Sequence, residues 1–189
     1  MNVIQTELPG VLILEPQVFG DQRGYFLETW SSARYADAGI PGPFVQDNVA
    51  FSRKGILRGL HFQHPRSQGK LVQVLWGDVI DVAVDVRVGS PAFGRWVGER
   101  LSESNHRQMY IPPGFAHGYC VVSETALFSY KCTDFYNPAT EMGIIWNDPE
   151  LNIDWSITAP AVSPKDADYP KLLDIPRDKL PRFGGVGWP

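Results

Sequence analysis

The sequence predicts an all-β protein, a barrel or jelly roll that contains only short helical segments. Its 18 glycines and 16 prolines separate short apolar runs at the spacing typical of antiparallel strands. Within residues 79–86, Asp81, Ala83 and Asp85 alternate with valines, which is the period-two pattern of a strand. A chain of 189 residues with 43% hydrophobic residues is long enough for one ordinary domain, so we expect a single domain over 1–189.

Turn signals and β-branched runs place the individual elements. The predicted strands are 11–14, 70–75, 79–86, 93–101, 107–111, 117–122, 126–132 and 143–146. One helix is predicted over 31–38, with Ser31 as its N-cap and Gly39 at its end. The last 40 residues are rich in Pro and Asp and predict an irregular C-terminal arm packed on the barrel, while the tail 184–189 suggests no function.

Charge and cysteine content exclude several classes of protein. The net charge of -4 argues against a nucleic-acid or anionic-membrane partner, because both need a basic surface. Cys120 and Cys132 are too few for a disulfide framework or a four-cysteine zinc site. The sequence starts without a basic segment and apolar run, and it contains no run of eighteen apolar residues. We therefore expect a cytoplasmic protein.

The densest polar cluster lies between residues 46 and 70. Within it, Arg58 and His61 are interleaved with apolar residues. On a strand these two side chains would line the inside of a barrel mouth, but the same pattern also fits a solvated sheet edge. The spacing by itself leaves both interpretations open.

Two short patterns match halves of the signatures of cupins, small jelly-roll barrels that often hold a metal. They are Gly55-x5-His61 and Pro112-x-Gly114-x2-His117. A metal-binding cupin carries a second histidine two residues after the first, where this chain has Gln63, a poor ligand for a transition metal. We therefore predict no metal and expect His61 to be available for acid–base chemistry. A metal-dependent cupin remains the alternative.

Seven segments, in order along nearly the whole chain, resemble the dTDP-4-dehydrorhamnose 3,5-epimerase family. They are residues 21–28, 46–48, 55–63, 81–87, 90–96, 111–118 and 143–148. The resemblance implies a cupin-like jelly roll, a homodimer, no metal or organic cofactor, and a dTDP-linked 4-keto-6-deoxy sugar as substrate. Two alternatives stay open, an epimerase acting at only one carbon and a cupin that binds sugar nucleotides without catalysis.

The family's reaction needs three kinds of side chain. Removing the proton at C3 or C5, beside the C4 ketone, gives an enolate, and protonation from the opposite face inverts the carbon. The resemblance implies His61 as the base, oriented by Asp166, with Asp168 as the fallback partner. It implies Lys70 as the cation at the developing oxyanion and Tyr130 as the acid on the other face.

The nucleotide part of the substrate requires cations for the diphosphate and flat surfaces for the thymine. By the same resemblance, the substrate-binding residues are Arg23, Phe26, Glu28, Gln46, Asn48, Arg58, His117, Tyr136 and Glu141. Among these, Phe26 and Tyr136 are the candidates to stack on the base. The short apolar strand 11–14 is expected to pair across the dimer.

Overall fold

A computed structural model describes residues 1–184 of the chain. The strands are β1 (Asn2–Gln5), β2 (Leu12–Glu15), β3 (Val18–Asp21), β4 (Gly24–Leu27), β5 (Gln46–Arg53), β6 (Leu57–Gln63), β7 (Lys70–Trp76), β8 (Asp78–Asp85), β9 (Trp96–Ser102), β10 (Gln108–Ile111), β11 (Phe115–Val121), β12 (Thr125–Cys132) and β13 (Glu141–Gly143). The helices are α1 (Ser32–Asp37) and α2 (Pro164–Ala167), and two 3₁₀ turns lie at Leu172–Asp174 and Arg177–Lys179. In residues 1–184 no helix has the length and apolar character needed to cross a membrane.

Two antiparallel sheets pack face to face, which confirms the predicted jelly-roll class. One sheet has the order β1-β2-β10-β7-β12-β5 and the other has the order β13-β6-β11-β8-β9. Alternate residues of each strand point between the sheets, so Val72 and Phe128 of the first sheet pack with Ala83 and Leu101 of the second. β3 and β4 form a separate two-stranded hairpin.

The C-terminal arm covers the outer face of the five-stranded sheet. Leu151, Trp155, Leu172 and Ile175 of the arm are buried against that face, whose residues include Val82. The inner strands of this sheet are therefore buried on both faces, and every residue of β11 is buried. This arrangement confirms the predicted arm, which also carries α2.

Several predicted boundaries were wrong, for identifiable reasons. The apolar run 143–146 shares only Gly143 with β13, because the arm covers it and the Ile145 N–H donates to the carbonyl of Pro170. Strands β1, β3, β4, β5 and β6 were not among those predicted, because glycines or polar residues interrupt their apolar pattern. α1 begins after Ser31 as predicted, although the Ser31 side chain makes no capping hydrogen bond.

The prediction that strand 11–14 pairs across a dimer was also wrong. β2 is paired on both sides within its own chain, with β1 on one side and β10 on the other. The edges of this six-stranded sheet are instead β1 and β5. The tail, apart from Gly184, lies outside the described residues.

Candidate active site

A cavity of about 480 Å³ opens between the two sheets. It contains the polar side chains of Arg58, His61, Lys70, His117, Tyr119, Tyr130, Ser163, Lys165 and Asp166. A second cavity of about 270 Å³ shares His61, Lys70 and Tyr130 with the first. The structure thus brings the four predicted catalytic residues into one place.

A register shift between β6 and β11 explains how Arg58 and His61 line the same cavity. His61 is paired with His117 and Arg58 with Tyr119, so three steps along β6 correspond to two along β11. Residues three apart on a regular strand point to opposite faces, and the extra residue returns His61 to the face of Arg58. This bulge decides between the two interpretations that the sequence left open.

His61 is hydrogen-bonded to Asp166. Its Nε2 lies 2.7 Å from Asp166 Oδ1, and the Asp166 side chain is buried. Burial raises the pKa of Asp166, but hydrogen bonds from His61, the Gly59 N–H and Ser163 outweigh it, so the net pKa is lowered. Asp166 is therefore ionised at neutral pH and can orient the ring and stabilise its protonated form. Asp166, rather than the fallback Asp168, is the partner of His61.

Ser163 holds this aspartate in place. The Ser163 Oγ accepts a hydrogen bond of 3.1 Å from the backbone N–H of Asp166, which makes Ser163 the N-cap of α2. Asp166 lies on the first turn of α2 and points back toward β6, and its carboxylate also accepts from the Gly59 N–H at 3.4 Å.

Lys70 lies at the start of β7 and is shared by both cavities. Burial lowers its pKa, and the nearby groups of Cys132, Asp81 and Glu141 partly oppose that effect. Among residues 1–184 its ammonium has no ion-pair partner. A desolvated cation without a bound carboxylate is suited to stabilise negative charge that develops on a ligand.

Tyr130 belongs to β12 of the six-stranded sheet, whereas His61 belongs to β6 of the other sheet. Burial, the largest effect, raises the pKa of Tyr130 to about 12. The phenol therefore keeps its proton at neutral pH. Because both side chains line both cavities, a ligand there lies between a possible base on one sheet and a possible acid on the other.

His117 forms a second histidine–aspartate pair, with Asp81. Its Nε2 lies 2.9 Å and 3.1 Å from the two oxygens of Asp81, and both residues are buried. Burial lowers the pKa of His117 despite the opposing effect of Asp81, and burial also raises the pKa of Asp81. Sequence reasoning did not place Asp81 in the site, although its polar position in an alternating apolar strand was a usable signal.

The second cavity gathers four of the predicted substrate-binding residues. Gln46 Nε2 donates to Asn48 Oδ1 at 3.0 Å, and the Tyr136 N–H donates to Gln46 Oε1 at 2.9 Å. The Tyr136 hydroxyl donates to Glu141 at 2.8 Å. Lys165, which sequence reasoning missed, donates to both Glu141 oxygens at 2.9 Å; its position next to Asp166 could have revealed it.

Three of the predicted substrate-binding residues line neither cavity. Arg23 and Phe26 belong to the β3–β4 hairpin, where Arg23 pairs with Asp21 and Phe26 is 69% exposed. Glu28 follows this hairpin and pairs with Arg34. A single chain therefore does not bring these three residues to the cavities that hold the other predicted binding residues, because the hairpin is a separate ribbon outside both main sheets. Their role in substrate binding stays a prediction.

Gln63, which occupies the position of a second cupin histidine, has a structural role. Its amide donates to the carbonyls of Arg66 and Phe135, and its oxygen accepts from the N–H of Asn137. Within residues 1–184, no three His, Cys, Asp or Glu side chains cluster as a metal ion would require.

The chain is similar to known proteins over most of its length. Residues 5–174 match the family model described as dTDP-4-dehydrorhamnose 3,5-epimerase. A Pseudomonas aeruginosa protein of that name is 55% identical over 176 residues, 92% of this chain and 97% of its own. A crystal structure of a dTDP-6-deoxy-D-glucose-3,5-epimerase from Legionella pneumophila, in complex with dTDP-4-keto-L-rhamnose, has a TM-score of 0.94 at 51% identity and covers 96% of this chain and 98% of its own.

A less similar relative has a name that specifies epimerisation at one sugar carbon instead of two. A dTDP-4-dehydrorhamnose 3-epimerase from Streptomyces niveus is 42% identical over 163 residues, 85% of this chain and 79% of its own. The family model and the 55% identical relative both carry the 3,5-epimerase name. The chain therefore belongs to the dTDP-4-dehydrorhamnose 3,5-epimerase family.

Proposed function

We propose that this protein is an isomerase that inverts C3 and C5 of dTDP-4-dehydro-6-deoxy-D-glucose and so forms dTDP-4-dehydro-L-rhamnose. The observation that carries the proposal is the placement of His61 and Tyr130 on opposite sheets, with Lys70 lining both of the cavities that they share. Inversion through an enolate requires this arrangement of base, acid and cation.

Each inversion is a balanced pair of proton transfers. His61 takes the proton from the carbon beside the ketone, and Asp166 stabilises the resulting imidazolium. The electron pair of the broken C–H bond forms the enolate, whose oxygen is stabilised by Lys70. Tyr130 then donates its proton to the opposite face of the carbon. No electrons leave the sugar, so the chemistry itself calls for no redox cofactor, and we propose that the enzyme uses none.

The nucleotide is proposed to bind to the remaining polar groups. Tyr136, with Gln46 and Asn48, offers a ring and amides for the thymine side of the ligand. Arg58 has no carboxylate partner in residues 1–184 and is available to a phosphate. His117 and Glu141 complete the set. We propose these residues as the substrate-binding side chains of the cavity.

We further propose a homodimer in which each hairpin serves the partner's cavity. Phe19, Tyr25 and Phe26 of the hairpin are at least 59% exposed, and a cluster of exposed aromatic side chains is typical of an interaction surface. The outer face of β5 and β7 is also apolar and exposed, at Phe51 and Trp76. A second copy that covers both surfaces would bring Arg23, Phe26 and Glu28 to a nucleotide bound in its neighbour.

We also propose a domain organisation, a set of partners and a cellular location. Residues 1–189 act as one domain with a dTDP-sugar as ligand, and neither a nucleic acid nor a membrane is a partner. This is supported by the net charge of -4. Cys120 and Cys132 are both buried free thiols, which supports a reducing, cytoplasmic location.

Proton NMR in deuterium oxide tests the reaction. The purified, chelator-treated protein is incubated with dTDP-4-keto-6-deoxyglucose, and a parallel tube contains a rhamnose-forming reductase as a trap. We expect deuterium at both C3 and C5 and dTDP-L-rhamnose in the trap. His61→Asn should lower turnover at least about a hundredfold while dTDP still binds, because it removes the general base.

Other results of this experiment would point to other functions. Deuterium at one carbon only would make the protein a single-centre epimerase, the second candidate, which the Streptomyces niveus relative favours. Binding of dTDP without any exchange would indicate a non-catalytic cupin. Activity that disappears with chelator and returns with a metal ion would indicate a metal-dependent cupin.

A further inference from the structure

Tyr119 is a buried side chain of the cavity to which the reaction assigns no role. It lies on β11 opposite Arg58 of β6 and Asp81 of β8, so the three residues form one row across the five-stranded sheet. Its ring stacks on Phe128 of the other sheet, with 4.0 Å between centroids and 16° between planes. The stacking fixes the ring and therefore the position of its hydroxyl.

Within residues 1–184 the hydroxyl of Tyr119 has no hydrogen-bond partner, although it is shielded from solvent and the residue is 4% exposed. A buried polar group without a partner is costly, so such an atom calls for an explanation. Burial raises the pKa of Tyr119, and the nearby Ser52 hydroxyl and Arg58 guanidinium partly oppose the rise. Those two groups therefore lie close to the hydroxyl, although neither meets the distance and angle limits of a hydrogen bond to it.

Arg58 is held loosely. Its Nε donates to Ser52 Oγ at 3.1 Å, and among residues 1–184 no carboxylate pairs with its guanidinium. The side chain is exposed to the cavity. A guanidinium with one hydrogen bond and several unused N–H groups can shift by a fraction of an ångström when an anion binds.

We propose that Tyr119 is a positioning residue for Arg58, whose guanidinium donates a hydrogen bond to the Tyr119 hydroxyl once it engages the diphosphate of a bound sugar nucleotide. This inference rests on the proposed function. The new bond forms in the liganded state and not in the free state, so it contributes to affinity rather than to the stability of the free protein. Ser52 accepts the hydrogen bond of Nε, and the Tyr119 hydroxyl accepts a second one from the same guanidinium.

Tyr119→Phe removes the hydroxyl and keeps the stacked ring. We expect the KM for the dTDP-sugar, and the Kd for dTDP by calorimetry, to rise about three- to tenfold, the size of one hydrogen bond, with kcat nearly unchanged. The melting temperature of the free protein should stay the same or rise, because an unsatisfied hydroxyl is removed. In an Arg58→Ala background, Tyr119→Phe should have no further effect on Kd.

Tyr35→Phe is the matched control. Its hydroxyl donates to Gln108 Oε1 at 2.6 Å away from both cavities, so its loss should lower the melting temperature and leave Kd unchanged. An unchanged Kd in Tyr119→Phe would overturn the inference, and so would an equal loss of affinity in the Arg58→Ala background. If the unmodified protein fails to bind dTDP, the proposed function itself fails, which is a different result.

Discussion

His61 and His117 are paired across neighbouring strands, and each contacts its own aspartate, but the two pairs differ in exposure. The His61 side chain is 26% exposed, whereas that of His117 is 7% exposed. Only the first pair can exchange protons readily with solvent, as the base proposed for this reaction must do after each turnover. Burial keeps His117 neutral, which limits repulsion between two facing imidazoles.

The charge of Lys70 provides a prediction about pH. Burial lowers its pKa, so the proposed oxyanion contact should be lost on the alkaline side below the pH where an ordinary lysine titrates. Asp81 opposes that lowering because its negative charge favours the ammonium. Asp81→Asn should therefore move the alkaline limb of the kcat/KM profile to lower pH by about one unit.

The profile is measured from pH 6 to 10 for both proteins. Glu99→Gln, a change in a carboxylate that pairs with Arg107 rather than with the cavity groups, should leave the limb in place. A limb that does not move in Asp81→Asn, in a protein whose circular dichroism is unchanged, would show that Asp81 does not support the charge of Lys70.

At the scale of elements, the geometry of the cavity depends on the close approach of β6 and β11 at Gly59 and Gly118. A Cβ added to Gly59 would lie 2.5 Å from the Gly118 Cα and 2.7 Å from the carbonyl oxygen of His117. Gly59 also has φ +124, which other residues rarely adopt. The glycines permit the register shift that places His61 and Arg58 on one face.

Gly59→Ala should consequently damage both stability and activity. We expect the free energy of unfolding to fall by roughly 3 kcal/mol or more, since backbone atoms of two strands must separate. Gly55→Ala is the control, because φ is +79 there but, its two chain neighbours aside, no residue among 1–184 has an atom within 4 Å of the added Cβ. A loss of about 1 kcal/mol is expected. Urea unfolding measures the free energy of unfolding of both variants. Equal losses would show that the close contact of β6 and β11 at Gly59 adds nothing to the cost of the substitution.

At the scale of the whole molecule, the site depends on parts of the chain that are far apart in sequence. His61 and Asp166 are separated by 105 positions and meet because the arm packs on the outer face of the five-stranded sheet. The hairpin with Arg23 and Phe26 stands apart from the cavity of its own chain. A site completed by a second copy would resolve this separation.

Mixing two inactive variants tests that arrangement. One chain carries Arg23→Ala together with Phe26→Ala, and the other carries His61→Asn. If each hairpin serves the partner's cavity, a mixed dimer has one complete site, and random reassortment should restore about a quarter of the unmodified activity. Mass spectrometry verifies the mixed dimers. Mixed dimers without activity would show that the hairpin serves its own chain, and a protein that stays monomeric by light scattering would contradict the dimer.

The sequence by itself determined the all-β class, the arm and the residue types of the site, because strand periodicity, turn residues and short motifs are local properties. It also placed His61, Lys70, Tyr130 and Asp166 together by resemblance. Tertiary structure alone decided the bulge that aligns His61 with Arg58, the pairing of Asp81 with His117, and the position of the hairpin. These depend on register and on packing between distant segments, which the alternation along a single strand does not encode.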